Sequence, residues 1–240
     1  MSTFGRPRRH FRVTESTNDR ARELAEAGAP SGTVVTATAQ TAGRGRRGRV
    51  WTAPPGKALL YSAILRPLGA DDALLPLAAP LAVCEAVEAV APLHCEIKWP
   101  NDVWIDEHKL AGVLIEARPP DWAVIGIGVN VAIEPEELPD DLRWPATSVR
   151  HGVTPEQLGA ALDRTLAEWV AADRERVLVS YRERDALDGR ELKWSDGEAG
   201  GGVAAGIDDR GNLLVLRPDG ERVSLGAGEV QLQVPSRRPR

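Results

Sequence analysis

The sequence is poor in the residues that mark secreted, metal-bound or membrane-spanning proteins. Its two cysteines, Cys84 and Cys95, lie in apolar surroundings without the paired spacing of a zinc site, so we expect buried, reduced thiols. No apolar run approaches the roughly 20 residues that span a bilayer, and the basic N-terminus lacks the apolar segment of a secretory signal. We therefore expect a cytoplasmic protein with no membrane partner.

Aromatic residues make up only 5% of the chain, and the formal net charge is −5. A protein that docks its whole surface on nucleic acid needs a basic face, and aromatic side chains are needed for base stacking. The composition therefore disfavours that class. Hydrophobic residues account for 42% and charged residues for 27% of 240 residues, which is typical of a globular protein with one large domain and a small appendage.

Hydrophobic periodicity predicts helices and strands that alternate along most of the chain. Helices are predicted over residues 18–27, 71–90 and 154–183. Strands are predicted over residues 33–39 and 57–65 and at HCEIKW, VWI, KLAGVLIEAR and WAVIGIGVNV. This pattern is typical of an α/β domain.

After Gly189 the sequence changes to short alternating runs that are separated by Asp-Gly turns. Such spacing predicts a small antiparallel barrel. We expect a larger domain over residues 1–188, a small C-terminal domain over 189–236 and a frayed tail over 237–240.

The segment TAGRGRRGRVW, residues 41–51, places four arginines among three glycines, and we call it the arginine loop. Alone, it fits a solvated basic turn or a short RNA-binding patch as well as an anion clamp. Glycines let the backbone wrap a ligand, and guanidinium groups match phosphate oxygens. Because the loop buries no apolar area, we expect it to become ordered only on its ligand. It is not a P-loop, since the Gly-Lys-Ser/Thr ending is missing.

A second segment, residues 98–116, inserts Lys98, Asn101, Asp102 and Lys109 among apolar strands. A lone lysine on a strand is usually a surface side chain, but this cluster surrounds a rigid Trp-Pro-Asn-Asp turn, which favours a site. Asp102 either staples that turn or holds an incoming amine or a magnesium ion.

A third segment, GIGVN, has glycine at alternate positions, so one strand face carries no side chains there. Such a face accepts either a flat ring or a closely packed helix. It is not a dinucleotide fingerprint, because no third glycine opens a following helix.

These segments, in this order, resemble the biotin protein ligases. The match runs from STND at Ser16 through QTAGRGRRGRVW, KWPND and KLAGVLIE to GIGVN, which ends at Asn130, and continues weakly toward the C-terminus. The resemblance implies an α/β (α+β) catalytic domain with a mixed sheet, related to class II aminoacyl-tRNA synthetases and lipoate ligases, and a small SH3-like β-barrel. It also implies a two-step reaction. Biotin and MgATP give biotinyl-5'-AMP, and a lysine of a biotin carboxyl carrier domain then displaces AMP.

The resemblance also assigns roles to residues. It assigns the biotin ureido group to Ser16, Thr17 and Gln40, whose hydroxyl and amide groups suit a urea. In the arginine loop, which includes Gly43, it places Arg44, Arg46 and Arg49 near the biotin carboxyl and the phosphate, with Trp51 packed on the ligand. Lys109 bridges biotin and phosphate, Asn130 reads adenine, and the floor consists of Gly112, Gly126 and Gly128.

The catalytic candidates are Lys109, Arg46 and Asp102, with Asp102 as general base or as the group that orients the amine. ATP and Mg²⁺ are the expected cofactors, and no residue is assigned as a metal ligand. Some members of the family carry an N-terminal helix-turn-helix domain. Here STND begins at Ser16, so we expect no DNA binding.

Two other functions remain open. A lipoate or octanoate ligase shares the fold, but its arginine and glycine motif usually ends in histidine and aspartate, which this chain lacks. An RNA-binding module would use the arginine loop against an unfavourable net charge. The sequence is compatible with a monomer and with a homodimer.

Overall fold

The computed structural model describes residues 4–69, 71–138, 144–195, 200–226 and 231–233, and the predicted tail lies outside them. The larger part of the chain contains seven strands: β1 (Arg8–Thr14), β2 (Val34–Gln40), β3 (Ala58–Leu65), β4 (Glu96–Lys98), β5 (Asp102–Ile105), β6 (His108–Arg118) and β7 (Trp122–Asn130). They form one sheet in the order β1-β2-β3-β7-β6-β5-β4. This arrangement brings the predicted strands β3, β6 and β7 to its centre.

The described residues of this part include four α-helices: α1 (Thr17–Glu26), α2 (Leu75–Glu88), α3 (Pro155–Val170) and α4 (Arg174–Glu183). The first three pack on the sheet, and α4 packs against α2. Their starts follow from the sequence, because Ser16, Thr154 and Asp173 each accept a backbone N–H in the first turn. The helix α2 is apolar on nearly all sides and is buried between the sheet and α3. The helix α1 packs on the opposite face of the sheet.

Alternation along β3 and β7 decides which side chains reach each face. Leu59 and Tyr61 of β3 enter the main core with α2 and α3, while Ile64 packs with α1 on the other side. Ser62, Gly126 and Gly128 have the same parity as Ile64. The glycine-rich face therefore lies on the α1 side of the sheet.

The strand β1 was not predicted. It pairs parallel to β2, from Arg8 opposite Val34 to Thr14 opposite Gln40, whereas the other pairs in this sheet are antiparallel. The prediction of a mixed sheet is thus confirmed. Four arginines in residues 6–12 concealed the strand, because an exposed edge strand needs no apolar alternation.

The opposite edge of the sheet, β4, is covered by the chain that leaves α4. The N–H of Ile97 donates to the carbonyl of Arg184 at 2.7 Å, and the N–H of Ala186 donates to the carbonyl of Ile97 at 3.0 Å. We call residues 184–186 the linker strand. It lies parallel to β4 through a bridge between Ile97 and Asp185.

The C-terminal part forms a separate antiparallel sheet. Its strands are β8 (Glu191–Ser195), β9 (Gly200–Ile207), β10 (Leu213–Leu216), β11 (Arg222–Leu225) and β12 (Gln231–Gln233), in the order β11-β10-β9-β8-β12. Within the described residues no pairing between β11 and β12 closes this sheet into the expected barrel. The boundary after residue 188 stays a prediction.

Two expectations from composition concern buried groups and long helices. Cys84 and Cys95 are buried free cysteines, as predicted. Among the described residues, no helix combines the length and the apolar character that crossing a bilayer requires.

Candidate active site

A cavity of about 380 Å³ opens on the α1 face of the sheet, within the size range of small-molecule sites. Of the predicted site residues, only Gly43 does not line it. The others that line it are Ser16, Thr17, Gln40, Arg44, Arg46, Arg49, Trp51, Asp102, Lys109, Gly112, Gly126, Gly128 and Asn130. The fold therefore brings together segments that are far apart in the sequence.

One end of the cavity is polar and uncharged. Gln40 Oε1 accepts hydrogen bonds from the backbone N–H of Thr17 at 2.7 Å and from its hydroxyl at 3.0 Å. The Ser16 hydroxyl caps α1 by accepting from the N–H of Asn18 at 3.2 Å. Because Gln40 uses its oxygen inside the protein, its amide N–H groups are the part available to a ligand.

A buried polar group beneath this end was not predicted from the sequence. The Ser62 hydroxyl lies 2.6 Å from Asn18 Oδ1 and 2.8 Å from Thr17 Oγ1. Asn18 Nδ2 donates to Glu116 Oε2 at 2.8 Å. A β-carbon on Gly126 would lie only 2.0 Å from Asn18 Oδ1, so this glycine makes room for Asn18. The signal in the sequence was Ser62 itself, a small polar residue inside the mostly apolar run ALLYSAIL.

The other end of the cavity is cationic. Lys109 Nζ lies 2.7 Å from Asp102 Oδ1, and Lys98 Nζ lies 3.8 Å from Asp102 Oδ2. Only 4% of the Asp102 side chain is exposed. Burial alone would raise the pKa of Asp102, but the charges of Lys109 and Lys98 outweigh burial and lower it. Asp102 is therefore an ionised carboxylate between two ammonium groups.

Lys98 is buried behind Asp102 rather than at the surface. Its ammonium lies 5.7 Å from the ring centre of Trp104 and 5.4 Å from that of Trp144, distances at which aromatic faces attract cations. Trp144 also lines the cavity, which the sequence analysis did not predict.

Arg46 brings the arginine loop to this cationic end. Its Nη1 donates to Asn101 Oδ1 at 3.1 Å, and Asn101 Nδ2 donates to the carbonyl of Val113 at 2.8 Å. Burial lowers the pKa of Arg46, and the attraction of Asp102 only partly offsets this effect. Several cations thus surround one carboxylate, which is the electrostatic arrangement of an anion site.

The arginine loop forms a short hairpin over the cavity. The N–H of Gly45 donates to the carbonyl of Arg49 at 2.7 Å, and the N–H of Trp51 donates to the carbonyl of Gly43 at 3.0 Å. A β-carbon on Gly43 would lie 2.2 Å from the carbonyl oxygen of Trp51. Gly43 is thus needed for the close approach of the two limbs. That the loop becomes ordered on its ligand stays a prediction.

Arg44 is held by acidic groups at the rim. Its guanidinium lies 2.8 Å from Asp19 and 3.1 Å from Glu116. Arg22 shares both carboxylates, at 2.9 Å from Asp19 and 3.9 Å from Glu116. The side chain thus anchors the first limb of the loop to α1 and β6. That Arg44 also lies near the biotin carboxyl and the phosphate stays a prediction.

Trp51 covers the glycine face. A β-carbon on Gly128 would lie 2.6 Å from the Trp51 ring, and one on Gly112 would lie 3.4 Å from it. The indole Nε1 of Trp51 is buried and has no hydrogen-bond partner among the described residues. Buried donors are rarely left unpaired, so this N–H is available to a ligand.

Asn130 lies at the end of β7 and is buried. One N–H of its amide donates to the carbonyl of Thr147 at 2.9 Å. The amide oxygen and the second N–H are left to read a ligand, since an amide side chain has two donors and one acceptor atom.

The described residues contain no cluster of three or more His, Cys, Asp or Glu side chains that could hold a metal ion. Two carboxylates line the cavity, and each pairs with a lysine: Asp102 with Lys109, and Glu137 with Lys57 at 2.6 Å. Both carboxylates in the described lining are therefore already neutralised by ammonium groups.

The fold and the site together define an α/β enzyme whose cavity has an uncharged polar end and a cationic end. The chain belongs to the biotin/lipoate A/B protein ligase family, whose model matches residues 10–130. A model described as the biotin protein ligase C terminal domain matches residues 192–233.

Individual relatives agree with this membership. The chain is 37% identical over 235 residues to a biotin–[acetyl-CoA-carboxylase] ligase of Paracoccus denitrificans, covering 90% of this chain and 97% of the relative. A protein of the same name from Mycobacterium tuberculosis is 36% identical over 230 residues, with 90% and 85% covered. A biotin protein ligase from Aquifex aeolicus, solved in complex with biotin and ATP, has a TM-score of 0.84 and 28% identity over 96% of this chain and 100% of that chain.

Proposed function

We propose that this protein is an ATP-dependent biotin ligase. It forms biotinyl-5'-AMP from biotin and ATP and transfers biotin to a specific lysine of a biotin carboxyl carrier domain. One observation carries the proposal. A single cavity joins the uncharged end at Ser16, Thr17 and Gln40 to the cationic end at Lys109 and Arg46, in a chain similar to biotin ligases over most of its length.

The uncharged end suits the ureido ring of biotin. A urea offers a carbonyl acceptor and two N–H donors but no charge, so hydroxyl and amide groups bind it without a desolvated ion. Gln40 offers amide N–H groups, and Ser16 offers a hydroxyl that already accepts from α1 and can donate outward. The valeryl chain of biotin then leads toward the cationic end.

The cationic end accounts for the first step. The biotin carboxylate must approach the α-phosphorus of a highly charged nucleotide, and fixed cations reduce that repulsion. Lys109 and Arg46 line the cavity beside Asp102, and Arg49 is near enough to lower the pKa of Asp102. We assign Lys109 to the bridging position between the carboxylate and the phosphate, and Arg46 and Arg49 to the phosphate.

Asp102 acts in the second step by position rather than by proton transfer. Since Lys109 and Lys98 keep it ionised at a lowered pKa, it is too weak a base to deprotonate an ammonium group. Its negative charge instead attracts the acceptor lysine and holds Lys109 in place. The proton of the attacking amine leaves to solvent or to the departing phosphate.

Mg²⁺ enters as part of the MgATP substrate complex in this proposal. When bound, it neutralises phosphate charge. The protein residues place the reacting groups and exclude water.

One assay tests the proposed function against its nearest alternative. The purified chain is incubated with MgATP and either biotin or lipoate, and pyrophosphate release is followed. We expect release that depends on biotin and is at least about 100-fold slower with lipoate, because a site built to pair a urea rejects an analogue that lacks it. Release with lipoate alone, or with neither acid, would contradict the assignment.

We also propose that the protein does not bind operator DNA. The net charge of −5 disfavours binding to a duplex, which attracts proteins through a basic surface. An electrophoretic shift assay at low salt with biotin and MgATP present is expected to show no complex. A sequence-specific complex would overturn this part of the proposal.

A further inference from the structure

The C-terminal sheet contacts the active-site turn at one defined point. The turn between β9 and β10, residues 208–212, places the carbonyl of Gly211 3.0 Å from the indole Nε1 of Trp99, which donates to it. Only 1% of Trp99 is exposed. Trp99 follows Lys98 directly and precedes Asn101 and Asp102 by two and three residues. We call residues 208–212 the bracing turn.

The bracing turn is internally rigid. Asp208 Oδ1 accepts the N–H groups of Arg210 and Asn212, both at 2.9 Å, and its Oδ2 accepts from the Ser224 hydroxyl at 2.9 Å. Burial would raise the pKa of Asp208, but these hydrogen bonds outweigh burial and lower it. The carboxylate therefore staples the turn to itself and to β11.

The helix α4 fixes the same turn from outside. Arg174 Nη1 donates to the carbonyl of Asp209 at 2.6 Å, and Arg182 Nη2 donates to the carbonyl of Ile207 at 3.3 Å. The helix α4 thus ties the turn and the end of β9 to the catalytic part of the chain, in addition to the contact of Gly211 with Trp99.

Gly211 has no room for a side chain. Its φ is +81°, a conformation that favours glycine, and an added β-carbon would lie 2.9 Å from Leu77 Cδ1 of α2. Gly220 offers a contrast in the next turn of the same sheet. Its φ is +88°, and nothing lies within 4 Å of the added β-carbon.

The contact continues from Trp99 into the catalytic groups. Asn101 bonds Val113 of β6 on one side and Arg46 of the arginine loop on the other. Asp102 follows it and pairs with Lys109. A shift of Trp99 therefore moves the acceptor of Arg46 and the counter-ion of Lys109 together.

We propose that the bracing turn is a positioning element of the ligase and that Trp99 is the positioning residue through which it acts. The C-terminal domain thereby sets the placement of Asn101 and Asp102 through Trp99. This inference rests on the proposed function, since it concerns the rate of biotin adenylation. The groups at the uncharged end of the cavity, Ser16, Thr17 and Gln40, are outside this chain of contacts.

Two substitutions in the 240-residue chain test whether the bracing turn positions the catalytic groups. Trp99→Phe keeps a ring in the core but removes the N–H that reaches Gly211, and Gly211→Ala inserts a methyl group against Leu77. Gly220→Ala is the matched control, because it imposes a similar backbone strain in the same sheet without a steric clash. For each chain, kcat and KM for biotin-dependent pyrophosphate release, the Kd of biotin without nucleotide and the melting temperature are measured.

We expect Trp99→Phe to lower kcat about 5- to 10-fold, the size expected for a lost buried hydrogen bond. Gly211→Ala is expected to lower kcat further, toward about 100-fold, since it displaces the turn. The Kd of biotin should stay within about twofold for both, and Gly220→Ala should match the unaltered chain in kcat, whatever its melting temperature.

The positioning role of the bracing turn is refuted if Trp99→Phe lowers the melting temperature but leaves kcat unchanged, because the contact then contributes to stability alone. Equal kcat losses in Gly211→Ala and Gly220→Ala would refute it too. If Gly211→Ala does not fold, Trp99→Phe decides. Failure of the proposed function looks different, since the unaltered chain would then release no pyrophosphate with biotin.

Discussion

At the scale of single residues, Asp102 combines burial with full ionisation. A carboxylate with a lowered pKa stabilises the folded chain above its ordinary pKa of 3.8, and this contribution is lost as the pH falls through the lowered value. Between about pH 5 and 8 the residue thus does not titrate. The dependence of the reaction rate on pH in that range therefore reflects the titration of other groups, including the acceptor lysine.

Asp102→Asn tests this role. We expect kcat to fall at least about tenfold in both adenylation and transfer, because Lys109 loses its partner, and the loss should be the same at every pH from about 6 to 9. Both half-reactions are measured by single turnover across that range. A general base would instead give a variant that is impaired in transfer alone, with a changed dependence on pH.

The ion pairs of Arg44 with Asp19 and Glu116 are expected to hold the arginine loop closed. Arg44→Gln is expected to speed the release of biotinyl-5'-AMP by about 2- to 10-fold, since partly exposed ion pairs contribute about 0.2–1 kcal/mol each. Release of preformed, labelled adenylate is followed after dilution.

Arg22→Gln is the control for Arg44→Gln, because Arg22 pairs with the same Asp19 and Glu116 but lies outside the loop. Asp19→Asn should reproduce part of the faster release, although Asp19 does not line the cavity. If Arg22→Gln and Arg44→Gln speed the release of the adenylate equally, the ion pairs of Arg44 do not hold the arginine loop closed.

The sequence predicted the lining of the cavity well, because its motifs resemble those of the biotin protein ligases and that resemblance singled out residues such as Gln40, Lys109 and Asn130. It did not reveal which partner each residue takes. Gly126 was expected as bare floor, but Asn18 covers it. Lys98 alone looked like a surface side chain, yet it is buried against aromatic rings. Partners of this kind depend on strand register and cannot be seen in a linear pattern.

At the scale of elements, the arginine loop is the part whose motion the function requires. A mixed anhydride hydrolyses or acylates other lysines when released, so the loop must close over it and later open for the carrier. The hairpin has few apolar contacts, and Val50 is 68% exposed. Ligand contacts must therefore supply much of its order.

Arg46→Gly tests whether the arginine loop retains the adenylate. We expect this variant still to form biotinyl-5'-AMP but to release it, so that nonspecific lysine biotinylation of a bystander protein rises severalfold. In the unaltered chain, saturating biotin and MgATP should protect residues 43–51 from limited proteolysis. Unchanged selectivity in the variant, together with unchanged cleavage in the unaltered chain, would count against a closing loop.

Helices and strands with a clear hydrophobic periodicity were predicted best from the sequence. The helix α1 and the strands β3, β6 and β7 carry clear periodicity and lie where the sequence placed them, within a few residues at their ends. The single helix predicted over residues 154–183 is wrong in its extent, because the structure has two helices there, α3 and α4, with a break at residues 171–173. The strand β1 has an exposed outer edge and arginine side chains, so the hydrophobic period that marks a strand is missing. Its parallel pairing with β2 is a long-range contact that no local signal encodes.

At the scale of the whole molecule, the junction of the two parts contains a buried acid. Burial raises the pKa of Asp185 in the linker strand to about 6 from its ordinary value of 3.8. One carboxylate oxygen is buried without a hydrogen-bond partner among the described residues. Because the folded chain binds the proton more tightly, ionisation of Asp185 costs stability above about pH 6, and this cost disappears as the pH falls toward 4.

Asp185→Asn removes that cost. We expect the free energy of unfolding to increase by on the order of 2 kcal/mol at pH 8 and to change little at pH 4, because the carboxyl group is then protonated in the folded chain. Urea unfolding at both pH values measures the difference. Glu183→Gln, a nearby exposed acid, should have no such effect, and a stabilisation independent of pH would contradict the buried-acid account.

The linker strand has a consequence for how this chain can be divided. Residues 184–186 satisfy the backbone of Ile97 at the rim of the catalytic sheet. The connection between the two parts is therefore not a free linker, because residues 184–186 belong to the catalytic part. A chain truncated after α4 would expose the unpaired edge of β4, which favours aggregation. A chain truncated beyond Leu187 would keep that edge paired.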